Sequence, residues 1–193
     1  MATDLSARQH PRLNRLYGLS CVMKWVSTLC AAIMVVVALG LALALIDPSL
    51  DFLATETAVY LDEQERPYAD IPFVQRMGIL CLMLVYFGIL IAMAWNLRRL
   101  FSQFQELRFF ELATLNRILL AGSCLIAFGV FDIVEDPISS ILATLDYPEG
   151  QRQLIVGLDG SELFFLVFGG LILVFGWIMR EAAAIDEENR QFV

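Results

Sequence analysis

At 193 residues, with 59% hydrophobic residues and a formal net charge of −8, the chain is too apolar for an ordinary soluble domain. Its acidic balance argues against direct nucleic-acid binding, because a phosphate-tracking surface needs concentrated Lys and Arg. The one histidine, His10, lies in a polar arm, so haem ligation, His-based zinc and His-assisted nucleophilic catalysis lack their usual residue; no cofactor and no enzymatic activity are expected.

The first apolar run covers 25–46. A bilayer core about 30 Å thick needs roughly 20 apolar residues of helix, and this run meets that length. The basic arm before it (Arg8, Arg12, Arg15, Lys24) and Ala42-Leu43-Ala44 at its end mimic a secretory signal peptide. The run of 22 residues exceeds the roughly 7–15 of a signal core, so an uncleaved anchor is expected. The connection 47–77 opens on Asp47-Pro48-Ser49, a helix-start signal. Leu50, Leu53, Val59 and Leu61 then predict a short helix on the membrane surface, ended by Arg66-Pro67.

A second run, 78–95, is followed by a stretch without Gly or Pro. There Leu100, Phe101, Phe104, Leu107, Phe110 and Leu115 recur near three and four, with Arg98, Arg99, Gln103, Glu106 and Arg108 interspersed. This pattern predicts an amphipathic cytoplasmic helix over 96–114, either lying at the membrane interface or docking a partner.

The third run, 115–133, closes on Asp132, Glu135 and Asp136. Their spacing puts three carboxylates on neighbouring parts of one helix surface, a candidate cation site or proton-sensitive switch, or a solvated helix end. The connection 134–162 then starts at Asp136-Pro137. Leu154-Ile155-Val156 within it has strand character, and Asp159-Gly160 turns the chain into the last run, 163–179. Gly169-Gly170 and Gly176 in that run predict helix packing rather than a phosphate loop. Cys21, Cys30, Cys81 and Cys124 form no close pair and read as buried small hydrophobes.

Ten of the thirteen basic residues fall in the N-terminal arm, the middle connection and the tail; only Arg66, Arg76 and Arg152 lie in the other two connections. Basic residues near spans mark the cytoplasmic side, so both termini are expected inside and the acidic connections outside.

The middle connection and the tail carry a resemblance. Leu100, Phe101, Phe104, Phe109, Phe110, Leu115 and Gly122 match the middle segment, and Arg180, Ile185, Glu187, Glu188, Asn189 and Val193 match the end, of a family of small four-helix bacterial membrane proteins. That family is catalogued as domain of unknown function number twenty-nine seventy-five. The chain departs from its pattern at Leu107, where a loop glycine is usual, which favours a continuous helix, and at Arg190 and Phe192. The resemblance implies a gene often placed beside a small Cro/C1-type helix-turn-helix regulator, and assigns no activity.

The expected architecture is therefore an all-α membrane protein, a bundle of four transmembrane helices with a small extracytoplasmic cap, in the bacterial cytoplasmic membrane. The first functional reading is a regulatory or signalling protein that binds a cytoplasmic partner, a helix-turn-helix transcription regulator being the candidate, through Arg98, Arg99, Phe101, Phe104 and Phe110 with Glu187, Glu188 and Asn189. The alternatives are a small transporter or ion-conducting homo-oligomer, and a structural subunit of a larger membrane complex.

Overall fold

The computed structural model describes residues 11–47, 58–61, 64–106, 111–148, 150–157 and 160–191; for 11–16, 58–61, 64–65 and 189–191 only the backbone is described. Four long helices carry the fold: α1 (Pro11–Ile46), α2 (Phe73–Gln105), α3 (Leu112–Thr144) and α4 (Gly160–Gln191). All four are long and apolar enough to cross a membrane. In their most apolar windows only 11–22% of the residues are buried inside the protein, which leaves the remaining apolar surface for lipid.

Neighbours in the chain pack side by side and antiparallel. Lys24 near the start of α1 donates to Gln105 at the end of α2 (3.4 Å). Asn96 of α2 donates to the carbonyl of Arg117 on α3 (2.9 Å). At the other end Leu45, Ile71, Ile79 and Ala143 form a buried cluster joining α1, α2 and α3. Phe128 of α3 stands between Tyr86 of α2 and Phe165 of α4, with both ring centroids at 5.0 Å.

The seam between α3 and α4 is built on backbone approach. Lipid tails are as apolar as Leu, so helices in hydrocarbon associate by close packing, and small residues allow it. Gly122 and Gly129 on α3, and Gly169 and Gly176 on α4, face across the seam. A Cβ on Gly169 would meet Ile126 Cγ1 at 2.8 Å and the Gly122 carbonyl oxygen at 2.9 Å. Gly170, one residue on, would meet nothing within 4 Å. The expected packing role therefore belongs to Gly169 and Gly176 and not to Gly170.

Four local expectations are overturned. The segment expected as a surface helix contains a hairpin, β1 (Ala58–Leu61) against β2 (Gln64–Pro67), antiparallel with Leu61 opposite Gln64 and Ala58 opposite Pro67. Val59 and Leu61 thus lie in a strand, in keeping with the β character of Ala-Val-Tyr-Leu; Leu50 and Leu53 lie outside the described residues. Second, α3 does not stop at Asp136-Pro137: it runs through Pro137 to Thr144. An interior proline costs about 3 kcal/mol, and here Ala143, Thr144 and Ser140, each 2% exposed or less, hold the extra turns against the cap.

Third, the helix expected over 96–114 is broken. The second helix ends at Gln105, and α3 starts after an extended Glu111. Antiparallel packing of α2 on α3 requires a reversal there, and packing outweighs the uninterrupted helix propensity of the sequence. Fourth, 154–156 is no β-strand. It runs beside α3 instead: the N–H of Gln153 donates to Thr144 Oγ1 (3.2 Å) and that of Ile155 to Ser140 Oγ (3.1 Å). Two residues of extended chain advance about 6.6 Å and one four-residue helical step about 6 Å, so alternate amides meet hydroxyls spaced by four. The cysteines also differ from expectation, with Cys30 and Cys81 exposed on the helix surfaces and Cys21 and Cys124 partly so; hydrocarbon accepts them there as the core of a soluble protein would.

The glycine seam predicts a sharp contrast. Gly169→Ala should lower the stability of the detergent-solubilised protein by about 1–3 kcal/mol, as overpacking does, whereas Gly170→Ala should change it by no more than about 0.5 kcal/mol. Melting of the two variants side by side checks this.

Candidate functional site

The cap is organised around one cation. Arg66 on β2 points at the end of α3, and its side chain is only 8% exposed. Nη1 donates to Asp146 Oδ1 (2.8 Å) and Nη2 to Asp146 Oδ2 (2.7 Å), a two-pronged pairing that suits the planar guanidinium. Nη1 also donates to the carbonyl of Ala143, and Nη2 to that of Asp70 (2.7 Å). The ring of Tyr147 lies 4.6 Å from the guanidinium carbon. The last carbonyls of a helix have no partner within it and carry the negative end of its dipole; Arg66 supplies both a donor and a positive charge to that end of α3.

Gln75, buried on the first turns of α2, completes the arrangement. With its amide nitrogen turned to the carboxylate it donates to Asp146 Oδ1 (3.2 Å) and to the carbonyl of Leu142 (3.1 Å), while its oxygen accepts the N–H of Asp146 (3.1 Å). The hydrogen bond from Arg66 holds the Asp146 carboxyl below the usual carboxylate range, against an opposing push from burial. The same bond raises Arg66 above its ordinary value, against the lowering effect of burial. Sequence reasoning passed over this pair. Its one trace there is that Arg66 is a rare cation among outer-loop acids.

Below the cap, α1, α2 and α3 line a half-open cavity of about 240 Å³. Leu41, Leu45, Ile79 and Met83 form apolar walls, Tyr68 and Tyr86 add rings, and Asp132 and Glu135 bring two carboxylates. Tyr68 sits in a single 3-10 turn, Tyr68–Asp70, and its phenol is raised above its ordinary value by burial and then by the charge of Glu135. Of the predicted trio, Asp132 and Glu135 line the cavity; Asp136 does not line it and lies beside Gly157, whose added Cβ would meet Asp136 Oδ2 at 3.5 Å, while its charge is still felt at Glu135. Among the described residues no three His, Cys, Asp or Glu side chains come together in a way that would hold a metal ion.

The predicted docking residues lie at the opposite end of the helices. Arg98 and Arg99 fold back over the ring of Trp95, at 4.8 and 5.6 Å. Phe101 and Phe104 meet edge to face at 6.2 Å and are partly buried. Phe110 lies outside the described residues. Glu187 and Glu188 are exposed on the last turns of α4, and Asn189 is in the same helix with its side chain not described.

Four apolar helices, largely unburied by one another, and polar chemistry gathered at their ends make this an integral, multi-pass membrane protein. The family described as "Protein of unknown function (DUF2975)" matches residues 53–192. The chain belongs to that family. No curated protein and no solved structure gives a significant match. This DUF2975 protein has four helices long and apolar enough to cross a membrane.

The depressed carboxyl of Asp146 sets a pH dependence. A group whose folded value lies below its unfolded value, about 3.9 for Asp, stabilises the protein above that pH, and the stabilisation is lost as the pH falls through the folded value. The raised Arg66 gives the opposite sign, with loss only above an ordinary arginine value and so outside the working range. Hydrogen bonds to charged groups contribute about 1.5–3 kcal/mol, and with Asp146 31% exposed the low end is expected. Asp146→Asn should therefore be destabilised at pH 7 and lose less stability between about pH 5 and pH 3 than the wild type, measured by tryptophan fluorescence during denaturant unfolding.

Proposed function

We propose that this protein is a non-enzymatic regulator of the bacterial cytoplasmic membrane that carries its cap outside and binds a soluble partner on the cytoplasmic side. Orientation rests on the ten-to-three division of basic residues. The carrying observation for the partner is the length of α4, which runs from Gly160 to Gln191, eleven residues past Arg180 (191 − 180). At 1.5 Å per residue that is about 16 Å of helix beyond the Trp177-Ile178-Met179-Arg180 segment. A Trp and an Arg together mark the headgroup level.

Glu181, Glu187 and Glu188 on this extension are exposed. A projecting acidic helix suits a partner with a basic face, and a DNA-binding regulator carries such a face. Arg98 and Arg99, stacked on Trp95, are better read as anchors at the headgroups, so the docking surface centres on the tail. The second reading, a small transporter or ion-conducting oligomer, draws its support from the carboxylate-lined cavity and would show as substrate or ion flux in liposomes.

Two measurements test the first reading. In cells whose protein has its four native cysteines replaced, a cysteine at Gln151 should react with an impermeant thiol label and one at Ala2 should not; the reverse pattern would invert the orientation. Charge reversal at Glu187 and Glu188 to Lys should leave membrane insertion and melting unchanged. It should also cut recovery of a co-purifying cytoplasmic protein at least tenfold, about 1.4 kcal/mol, while Arg98→Ala leaves recovery intact. Equal recovery with wild type and the tail variant would remove the tail from any docking role.

A further inference from the structure

The cavity beneath the cap has a composition that selects a ligand class. Arg117 stands near the start of α3 and Glu135 eighteen residues later, about 27 Å along the helix, close to the thickness of a hydrocarbon core. The carboxylates of Asp132 and Glu135 therefore sit at the cap-side boundary of the membrane, and Leu45, Ile79 and Met83 line the same space. No Lys or Arg is among the described residues that line it. Two like charges three residues apart on one helix disfavour each other, and a monocation between them relieves both. An anion meets repulsion there.

A bare metal ion is a poor match, since hard cations seek six to eight oxygen ligands and no three acidic, His or Cys side chains converge among the described residues. An apolar wall would also be wasted on it. The volume of about 240 Å³ corresponds to roughly eight times the 30 Å³ share of a water molecule in the liquid, room for a ligand of about eight non-hydrogen atoms. Tyr68 and Tyr86 supply ring faces, which attract ammonium groups within about 6 Å of the centroid.

We propose that this cavity binds an organic monocation with a short apolar body, its ammonium beside Asp132 and Glu135 and its chain against Leu45, Ile79 and Met83. The site deepens the regulatory reading by naming the class of signal received on the cap side, and it serves the transporter reading equally. Binding is therefore tested directly, in the absence of any partner, so that failure here leaves the docking of the tail standing.

The probe is radiolabelled hexylammonium, dialysed against the full chain in nanodiscs of zwitterionic phosphatidylcholine, with empty nanodiscs subtracted. Saturable binding of one hexylammonium per chain is expected, with unlabelled hexanol competing at least tenfold more weakly than unlabelled hexylammonium. Glu135→Gln should weaken binding at least tenfold, Met83→Trp should abolish it by filling the space, and Glu187→Gln, exposed at the opposite end of the helices, should retain it. If Glu135→Gln or Met83→Trp loses its melting transition, Asp132→Asn carries the same expected tenfold loss. Uptake equal to that of empty nanodiscs, hexanol competing as well as hexylammonium, or full binding by the folded carboxylate variants would overturn the proposal.

Discussion

Hydrocarbon offers no hydrogen bonds, and the arrangement of this protein follows from that single constraint. Every backbone amide in a spanning segment must be bonded within its own helix. The few hydroxyls in the spans obey the same demand, with Ser27, Thr28 and Ser123 donating to carbonyls four residues earlier in their own helices. Groups that cannot be satisfied in this way are carried to the two ends. There Lys24 meets Gln105 on one side, and Arg66 meets Asp146 on the other.

The same constraint removes the ordinary reason for helices to associate. Apolar side chains gain nothing by leaving lipid for one another, so contact depends on how closely backbones approach. In α3 and α4 glycines recur at seven-residue spacing, Gly122 with Gly129 and Gly169 with Gly176, and keep the seam near backbone contact. Between α2 and α3 the contact is polar instead, through Asn96 and the Arg117 carbonyl. Toward the cap the helices separate enough around Tyr86 and Met83 to leave the cavity.

The cap is more than a lid of loop. Arg66 ties the hairpin to the end of α3, Gln75 ties the start of α2 to the same carboxylate, and Ser140 and Thr144 hold the chain at 153–155. Tyr68 lies two residues beyond Arg66 and lines the cavity, so the ion pair and the cavity wall share one short segment. The carbonyl of Asp70, at the end of the same turn, accepts from Arg66 (2.7 Å).

Four spans were legible in the sequence because hydropathy is additive along a helix and depends on no partner. The packing role of Gly169 and Gly176 was legible for a related reason, since small residues in a membrane helix have few other uses. Element ends were not. Pro137 and the glycine-free stretch after Asn96 both argued locally for the wrong outcome, because the burial of Ser140, Ala143 and Thr144 in one case, and the antiparallel return of α3 in the other, lie in contacts distant along the chain. The strand character of 154–156 did not become a β-strand, because the amides of Gln153 and Ile155 are taken up by helix hydroxyls instead. Asp132 and Glu135 were visible as a cluster, whereas their place on a cavity wall required three helices to be set in position. Arg66 and Asp146 lie eighty residues apart. Their pairing could be decided only by the tertiary structure, because a buried guanidinium finds its carboxylate through space and leaves no periodicity in the sequence.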